Sequence, residues 1–235
     1  MKHMTGIIFD IDDTLYSRQD LLVKAAESVL GVSVANPTEF VRVFYAKSDF
    51  NTAELEAGII TTRECNGWRY EETYKETGLA FRAGDGVLTA DRYLELQSRM
   101  SLSSGMERAL DLLKSNPDVK LGVLTAGESK HQWNKVDRLG LRRWIPGENI
   151  IVAGDVGVSK PDERIFRIVE ERLGLNASDM WMIGDSYKHD IRGALGSGWH
   201  AVWLNRRGLP AQDVMPEFTV STDEELTALI EKKFE

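Results

Sequence analysis

Short apolar runs alternate with segments of helical spacing along most of this chain, and this alternation limits the fold more than any other feature. Each run is long enough for one strand, and the segments between them repeat apolar residues every three or four positions. Strands that alternate with helices build a parallel sheet. We therefore predict an α/β fold with a doubly wound parallel sheet, whose strands are Ile7–Asp10, Lys120–Thr125, Ile150–Ala153, Met180–Asp185 and Ala201–Leu204.

Polar residues stand at the carboxyl ends of three of these runs, namely Asp10, Thr125 and Asp185. Ligands of open α/β sheets bind at this edge, outside the carboxyl ends of the strands. The three residues are therefore predicted to share one site. The helices that connect the strands are predicted at Gly105–Lys114, Ser129–Leu139, Pro161–Leu173 and Asp190–Gly196, and Glu231–Glu235 is interpreted as a frayed end.

The segment between the first two strands is too long for an ordinary crossover connection. Its composition is helical throughout, and Phe40, Val41, Phe44 and Tyr45 mark an apolar face at helical spacing. We predict an inserted helical bundle at residues 17–102, and a Rossmann-like core formed by residues 1–16 and 103–235. The helices of the insertion are predicted at Asp20–Leu30, Pro37–Phe50, Thr61–Thr77 and Gly86–Met100.

Composition excludes several classes of protein before any motif is considered. A formal charge of −8 argues against a general nucleic-acid binder. The single cysteine, Cys65, excludes an internal disulfide framework and a cysteine-rich metal site. The N-terminus reaches Asp10 after too short an apolar run for a signal peptide, and no run approaches the length of a membrane span. We expect a cytoplasmic protein without nucleic-acid or membrane partners, as a monomer or small homo-oligomer.

Three carboxylates follow the first apolar run, and they would repel one another without a compensating charge. A divalent cation with oxygen ligands, such as Mg²⁺, is the usual solution. If the chain stays extended here, Asp10 and Asp12 project to the same side while Asp13 points away. Asp10 is then placed as a nucleophile and Asp12 as a proton carrier. Asp13 is given no role.

Three further pieces of sequence carry groups that suit phosphate chemistry. A hydroxyl and backbone N–H groups near Thr125 suit phosphoryl oxygens, and Lys160 offers a fixed positive charge before Pro161, which suits the first turn of a helix. A second strand ends in Asp185, with Asp190 five residues later. The four pieces are Asp10-Ile11-Asp12-Asp13-Thr14, Leu124-Thr125-Ala126-Gly127, Ser159-Lys160-Pro161-Asp162 and Ile183-Gly184-Asp185-Ser186-Tyr187-Lys188-His189-Asp190.

In this order the four pieces resemble the haloacid dehalogenase superfamily, and its phosphatase branch in particular. The insertion resembles the α-helical cap that this superfamily places between its first two motifs. The stretch from Val156 to Phe166 looks most like the small nucleotidases and phosphosugar phosphatases. One departure is Ala126, where many relatives carry asparagine, and this change removes one possible hydrogen bond to the phosphate.

The resemblance implies a Mg²⁺-dependent phosphatase that acts on a small phosphorylated metabolite through an aspartyl-phosphate. It implies that Asp10 is the nucleophile and Asp12 the acid and base, while Thr125 and Lys160 hold the phosphoryl oxygens. The metal ligands implied are a carboxylate oxygen of Asp10, the backbone carbonyl of Asp12 and Asp185, with Asp190 orienting a metal-bound water. Nucleoside monophosphates and sugar phosphates are the expected substrates.

Other interpretations of the same residues stay open at this stage. Thr125 alternatively caps the next helix, and Asp190 alternatively stabilises a helix N-terminus through its charge. A phosphomutase would keep all the same core residues. A haloacid dehalogenase needs neither Asp12 nor Asp185, so their presence argues against it. A phospho-accepting signalling module is about half as long and has no inserted bundle.

Overall fold

The computed structural model describes residues 4–47, 50–51, 54 and 59–234, and the chain divides into two compact units. The first, called the core unit, consists of residues 1–16 and 101–235. The second, called the helical unit, consists of residues 17–100. The core unit is therefore assembled from two segments that are separated in sequence by the whole helical unit.

Within the described residues, the core unit contains one sheet of six strands, all parallel, in the order β3-β2-β1-β4-β5-β6. Ile7, Ile8 and Phe9 of the central strand have no exposed surface, as expected where a parallel sheet is covered on both faces. The predicted α/β class with a doubly wound parallel sheet is confirmed. The strands are β1 (Thr5–Phe9), β2 (Val119–Thr125), β3 (Ile150–Val152), β4 (Met180–Gly184), β5 (His200–Leu204) and β6 (Phe218–Val220).

Strand β1 lies between β2 and β4, and this arrangement defines the place of the site. Phe9 is in register with Val123 of β2 and with Ile183 of β4. The residues that follow these positions, Asp10, Thr125 and Asp185, therefore emerge at one edge of the sheet. This edge is also where the chain reverses its direction of winding, the usual position of a ligand site in such sheets.

The helices of the core unit surround the sheet, and two of them begin at a side-chain cap. Ser103 accepts a hydrogen bond from the backbone N–H of Met106, and Asp162 accepts one from that of Arg164. Pro161 was expected inside the helix, but the helix begins two residues later because Asp162 caps it. The helices are α5 (Ser104–Ser115), α6 (Ser129–Arg138), α7 (Ala153–Val156), α8 (Glu163–Leu173), α9 (Arg192–Gly196) and α10 (Asp223–Phe234), with a π-helical turn at Tyr187–Ile191.

The C-terminal segment corrects one expectation, because it is a helix rather than a frayed end up to its last described residue. Leu226, Ile230 and Phe234 are buried at intervals of four residues along α10. The side-chain amide of Asn116 donates a hydrogen bond of 2.7 Å to the carbonyl of Phe234, which fixes the end of the helix to the core unit. Helix α10 is therefore part of the fold.

The helical unit, in its described part, contains four helices with well-defined ends. Thr61 and Glu64 form a reciprocal capping box, and Gly78 ends the same helix in a left-handed conformation. Phe40, Phe44, Tyr70 and Tyr74 form an aromatic cluster in its interior. The helices are α1 (Arg18–Leu30), α2 (Pro37–Ala46), α3 (Thr62–Thr77) and α4 (Asp85–Ser98).

Helix α2 is shorter than its predicted extent to Phe50, and residues 48–49 of that prediction lie outside the described part of the chain. Across the described ranges, no helix combines the length and the apolar character that crossing a membrane requires.

Candidate active site

Asp10 is the first residue after β1 and is almost completely buried, with 6% of its surface exposed. Its backbone N–H donates a hydrogen bond of 3.0 Å to the carbonyl of Ile183 in β4, which fixes its position at the edge of the sheet. The chain then turns, because the N–H groups of Thr14 and Leu15 both donate to the carbonyl of Ile11. The extended exit predicted from the sequence is therefore wrong, and Asp13 takes a left-handed conformation with φ of 62°.

Lys160 lies at the centre of the site and is also buried. Its ammonium group donates to Asp10 Oδ1 at 2.7 Å, to Asp190 Oδ1 at 2.5 Å and to the carbonyl of Leu124 at 2.9 Å. These contacts come from β1, β2 and the turn after β4, so one cation joins three parts of the core unit. The sequence predicts a fixed positive charge from Lys160 at the site, and the structure places its ammonium group beside Asp10.

Asp10, Asp185 and Asp190 form a compact group of carboxylates. One oxygen from each lies within 4.8 Å of an oxygen of the other two. Oxygen ligands at such separations suit a hard divalent cation such as Mg²⁺. The carboxylate of Asp12 does not belong to this group, because it contacts other side chains.

The electrostatic state of these residues reflects burial and crowding. Burial raises the pKa of Asp10 to about 7; the charges of Asp190 and Asp12 act in the same direction, while Lys160 opposes them. Burial also raises the pKa of Asp185 well above its ordinary value, with further contributions from Asp190 and Asp13. Burial alone would lower the pKa of Lys160, but attraction to Asp10 and Asp190 outweighs this effect and raises it. One ammonium group thus compensates only part of the negative charge gathered here.

Asp190 is held in place by the backbone of the preceding turn. It accepts a hydrogen bond of 2.9 Å from the N–H of Ser186 in addition to its contact with Lys160. A Cβ atom at Gly184 would overlap the Asp190 carboxylate, so only glycine permits this close approach. Asp190 lies within the π-helical turn, whose N-cap residue is Ser186, so its carboxylate contacts both Lys160 and the start of this turn.

The carboxylate of Asp12 is held by three side chains, none of which the sequence analysis singled out. Lys135 Nζ lies 2.7 Å from Oδ1 and 2.5 Å from Oδ2, and Tyr16 donates to Oδ1 at 2.6 Å. Gln132 Nε2 donates to Oδ2 at 3.2 Å. Lys135 is 3% exposed, which is rare for a lysine unless it is paired.

A signal for the missed residues was present in the sequence. Gln132, Lys135, Val136 and Leu139 are spaced as one face of a helix, and all four are buried in the structure. The apolar residues Val136 and Leu139 identify the inward face, and the polar residues at the same spacing must then point inward too.

Thr125 is buried at the end of β2, and its hydroxyl donates a hydrogen bond of 3.1 Å to Gln132 Oε1. The next helix starts at Ser129 after Glu128, so the alternative that Thr125 caps it is wrong. Gln132 therefore contacts both Thr125 and Asp12 and joins two of the predicted site residues.

Comparison with known proteins shows to which family the chain belongs. The model of the haloacid dehalogenase-like hydrolases matches residues 4–198. The chain belongs to this family. The predicted membership of the haloacid dehalogenase superfamily is confirmed, and with it the prediction of a hydrolase.

Named members of the family resemble the chain over almost its whole length. The pyrimidine 5'-nucleotidase YjjG of Escherichia coli (strain K12) is 27% identical over 227 residues, which cover 95% of this chain and 96% of that protein. The N-acylneuraminate-9-phosphatase of Rattus norvegicus is 32% identical over 247 residues, covering 98% of this chain and 95% of that protein. By name, the first relative is a nucleotidase and the second a phosphatase.

Solved structures share the fold. A structure of the HAD-hydrolase YfnB from Bacillus subtilis, bound to magnesium, is 24% identical, covers 100% of both chains and has a TM-score of 0.69. Dehalogenases are also among the solved structures with this fold, so the fold of the family does not by itself decide the reaction.

Proposed function

We propose that the protein is a Mg²⁺-dependent phosphatase that acts on a small phosphorylated metabolite. The observation that carries this proposal is the buried group in which Lys160 bridges Asp10 and Asp190, with Asp185 beside them. A phosphoryl group can approach a carboxylate only where cations neutralise the combined negative charge. Lys160 supplies one cation beside Asp10, and the carboxylates supply oxygen ligands for a second.

The carboxylates fit a magnesium ion by the chemistry of their donors. Asp10, Asp185 and Asp190 offer oxygen atoms only, and the mutual repulsion of these carboxylates favours a bound cation. These residues, together with the backbone carbonyl of Asp12, would hold the ion. Bound there, Mg²⁺ would neutralise phosphoryl oxygens as a Lewis acid.

Magnesium is expected to raise the melting temperature of the wild-type protein and to have little effect on Asp185→Asn. A ligand that binds only the folded state stabilises it by about 2.7 kcal/mol at a concentration of 100 times its Kd. Thermal melting with Mg²⁺ and with a chelator measures this difference. Asp137→Asn is the control, because Asp137 is an exposed carboxylate of α6. An equal shift in wild type and Asp185→Asn would contradict the proposed ligand set.

The proposed reaction uses Asp10 and Asp12 in succession. A carboxylate oxygen of Asp10 forms a bond to phosphorus, the bond to the leaving oxygen breaks, and Asp12 gives that oxygen a proton. Asp12 then takes a proton from the water that attacks the aspartyl-phosphate, which releases inorganic phosphate and restores Asp10. Lys160 and Thr125 hold the phosphoryl oxygens during both steps.

Lys135 is proposed as a positioning residue for Asp12, because its ammonium group contacts both oxygens of that carboxylate. We expect Lys135→Met to lower kcat by about 10²-fold with a small change in KM, since a general acid and base contributes roughly 10²–10⁴-fold. Lys135→Arg keeps the charge and should recover part of the loss.

Lys130→Met is the matched control for this prediction, because Lys130 lies on the same helix and is exposed. Steady-state kinetics of the variants make the comparison. If Lys135→Met and Lys130→Met have the same kcat, the proposal that Lys135 positions Asp12 is contradicted.

The proposed substrates are nucleoside monophosphates and sugar phosphates. The nucleotidase and the sugar-acid phosphatase among the relatives support these two classes. The presence of Asp12 and Asp185 disfavours a dehalogenase, whose reaction needs no proton for the leaving group. A phosphomutase would use the same residues but would transfer the phosphoryl group to a second hydroxyl instead of to water.

A phosphate-release screen over nucleotides and phosphosugars tests the proposal, performed with Mg²⁺ and with a chelator. Release that requires the metal is expected for members of at least one of the two classes. Interconversion of phosphosugar isomers without release would favour the mutase. Release of halide from a 2-haloacid with a chelator present would favour the dehalogenase.

A further inference from the structure

The turn after Asp10 has a backbone conformation that needs support from other parts of the core unit. Asp13 is left-handed there, with φ of 62°, and this conformation costs free energy for a residue with a Cβ atom. The turn also determines the point from which the Asp12 side chain projects, because Asp12 directly precedes Asp13. Loss of this conformation would therefore move the proposed proton carrier relative to Asp10.

Arg206, which follows strand β5, contacts the backbone of this turn at two successive residues. Its Nε donates a hydrogen bond of 3.3 Å to the carbonyl of Asp13, and its Nη2 donates one of 3.3 Å to the carbonyl of Thr14. A guanidinium group can meet two carbonyls at once because its N–H groups point in fixed directions. Arg206 thus supports the turn at the residue with the left-handed conformation.

Arg206 is itself held by helix α10. Its Nη2 also donates to Oδ1 of Asp223, the first residue of that helix, and the two side chains are 18% and 14% exposed. The other oxygen of Asp223 accepts a hydrogen bond from the hydroxyl of Ser103, the residue that caps α5. Salt screens such a partly buried ion pair less than an exposed one. The guanidinium is therefore fixed between the turn and the start of α10.

We propose that Arg206 is a positioning residue for the proposed phosphatase reaction, on which this inference rests. Arg206 holds the backbone from which Asp12 projects, while Lys135 holds the carboxylate of Asp12. Together they keep the proton carrier in line with the leaving oxygen. Helix α10 contributes to the site through Asp223, which fixes Arg206.

Arg206→Met is expected to lower kcat by about 10- to 10²-fold, since a misplacement of about 1 Å can cost 10²-fold. KM should stay within about threefold of wild type, because Thr125 and Lys160, which are proposed to hold the phosphoryl oxygens, lie outside the turn. Steady-state kinetics with a substrate from the release screen measure both constants. The temperature is kept well below the melting point of each variant, so that a loss of folded protein does not contribute.

Arg206→Lys keeps the charge but lacks the planar group. One ammonium group cannot reproduce the fixed directions in which the guanidinium meets the two carbonyls and the Asp223 carboxylate. This variant should therefore recover only part of the lost kcat. A lysine variant with the wild-type kcat would overturn the proposed contact, because charge alone would then be sufficient.

Arg108→Met is the matched control. Arg108 of α5 is 67% exposed and pairs with Glu231 of α10, so its substitution removes an arginine–carboxylate pair between the same two helices without a change at the turn. Exposed pairs of this kind contribute little. The kcat of this variant should stay within about twofold of wild type.

Hydrogen–deuterium exchange measures the conformation of the turn without any substrate. The N–H groups of Thr14 and Leu15 both donate to the carbonyl of Ile11, and their protection reports whether the turn is closed. In Arg206→Met a peptide of residues 11–16 should exchange faster than in wild type, while a peptide from β2 should not change. Arg108→Met should match wild type in both peptides.

Asp223→Asn tests whether Asp223 acts through Arg206. The variant should lower kcat less than Arg206→Met does, because the contacts of Arg206 with the two carbonyls remain. Residues that act through one another are not additive, so the double variant should have the kcat of Arg206→Met alone. Losses that multiply in the double variant would contradict this link.

Two further results would overturn the positioning role of Arg206. They are a kcat of Arg206→Met equal to that of Arg108→Met, and an exchange rate of the turn that is unchanged in Arg206→Met. Absence of phosphate release from the wild-type protein would contradict the proposed function instead. The exchange experiment then still decides whether Arg206 holds the turn, so the two failures are distinguishable.

Discussion

Asp10→Asn is expected to lose phosphate release by about 10⁴-fold or more while it keeps the fold. An amide oxygen is too weak a nucleophile to form the bond to phosphorus, so the first step of the reaction stops. The fold should remain because Lys160 retains its contacts with Asp190 and with the carbonyl of Leu124. The substitution also removes one of the crowded carboxylates, whose pKa burial raises to about 7. The metal-free variant should therefore melt no lower than wild type at pH 8.

Asp13→Asn is the matched control for this variant, because it makes the same chemical change three residues away. Asp13 has a φ of 62°, a conformation that asparagine adopts readily. Its kcat/KM should stay within about threefold of wild type, as expected for a change outside the reacting groups. Comparable losses in Asp10→Asn and Asp13→Asn would argue against a specific role for Asp10.

Lys160→Met is expected to have the second largest effect, on activity and on stability together. Loss of the ammonium group removes stabilisation of the phosphoryl oxygens and should lower kcat/KM by about 10²–10³-fold. It also leaves Asp10 and Asp190 buried without their shared cation, which should cost about 3–5 kcal/mol of unfolding free energy. Chemical denaturation with a chelator measures the stability, and added Mg²⁺ should recover part of it.

A double variant separates these two effects of Lys160. Lys160→Met combined with Asp190→Asn removes the cation and one buried carboxylate. The double variant should be more stable than Lys160→Met alone, but no more active. Lys188→Met, at an exposed lysine nearby in the chain, controls for loss of a positive charge. Wild-type activity in the Lys160→Met variant would contradict the role proposed for Lys160.

The sequence predicted the sheet because its central strands are continuous apolar runs bounded by polar residues. All five predicted strands are found, and no end is shifted by more than two residues. Strand β6 was missed because it has three residues, of which only Val220 is buried, so it shows no apolar run. Helix α10 was missed although Leu226, Ile230 and Phe234 have helical spacing, because Glu231–Glu235 was interpreted as a frayed end.

The site was predictable where its residues follow strands, because the register of a parallel sheet brings such residues together. Asp10, Thr125 and Asp185 are of this kind, and the structure places Lys160 and Asp190 with Asp10. Gln132 and Lys135 were not foreseen, because a polar residue on a helix is ordinarily expected to face solvent. The turn after Asp10 was also missed, since nothing in Ile11-Asp12-Asp13 shows that Asp13 takes a left-handed conformation.

The central claim is that Asp10 carries the phosphoryl group during turnover, and trapping that intermediate tests it most directly. The protein is mixed with a substrate found in the release screen, quenched rapidly in acid and digested for mass spectrometry. The account predicts that the peptide containing Asp10 gains the mass of one phosphoryl group, and that this gain is absent in Asp10→Asn. Phosphate release at the normal rate with no phosphorylated peptide, or with the group on another residue, would contradict the account.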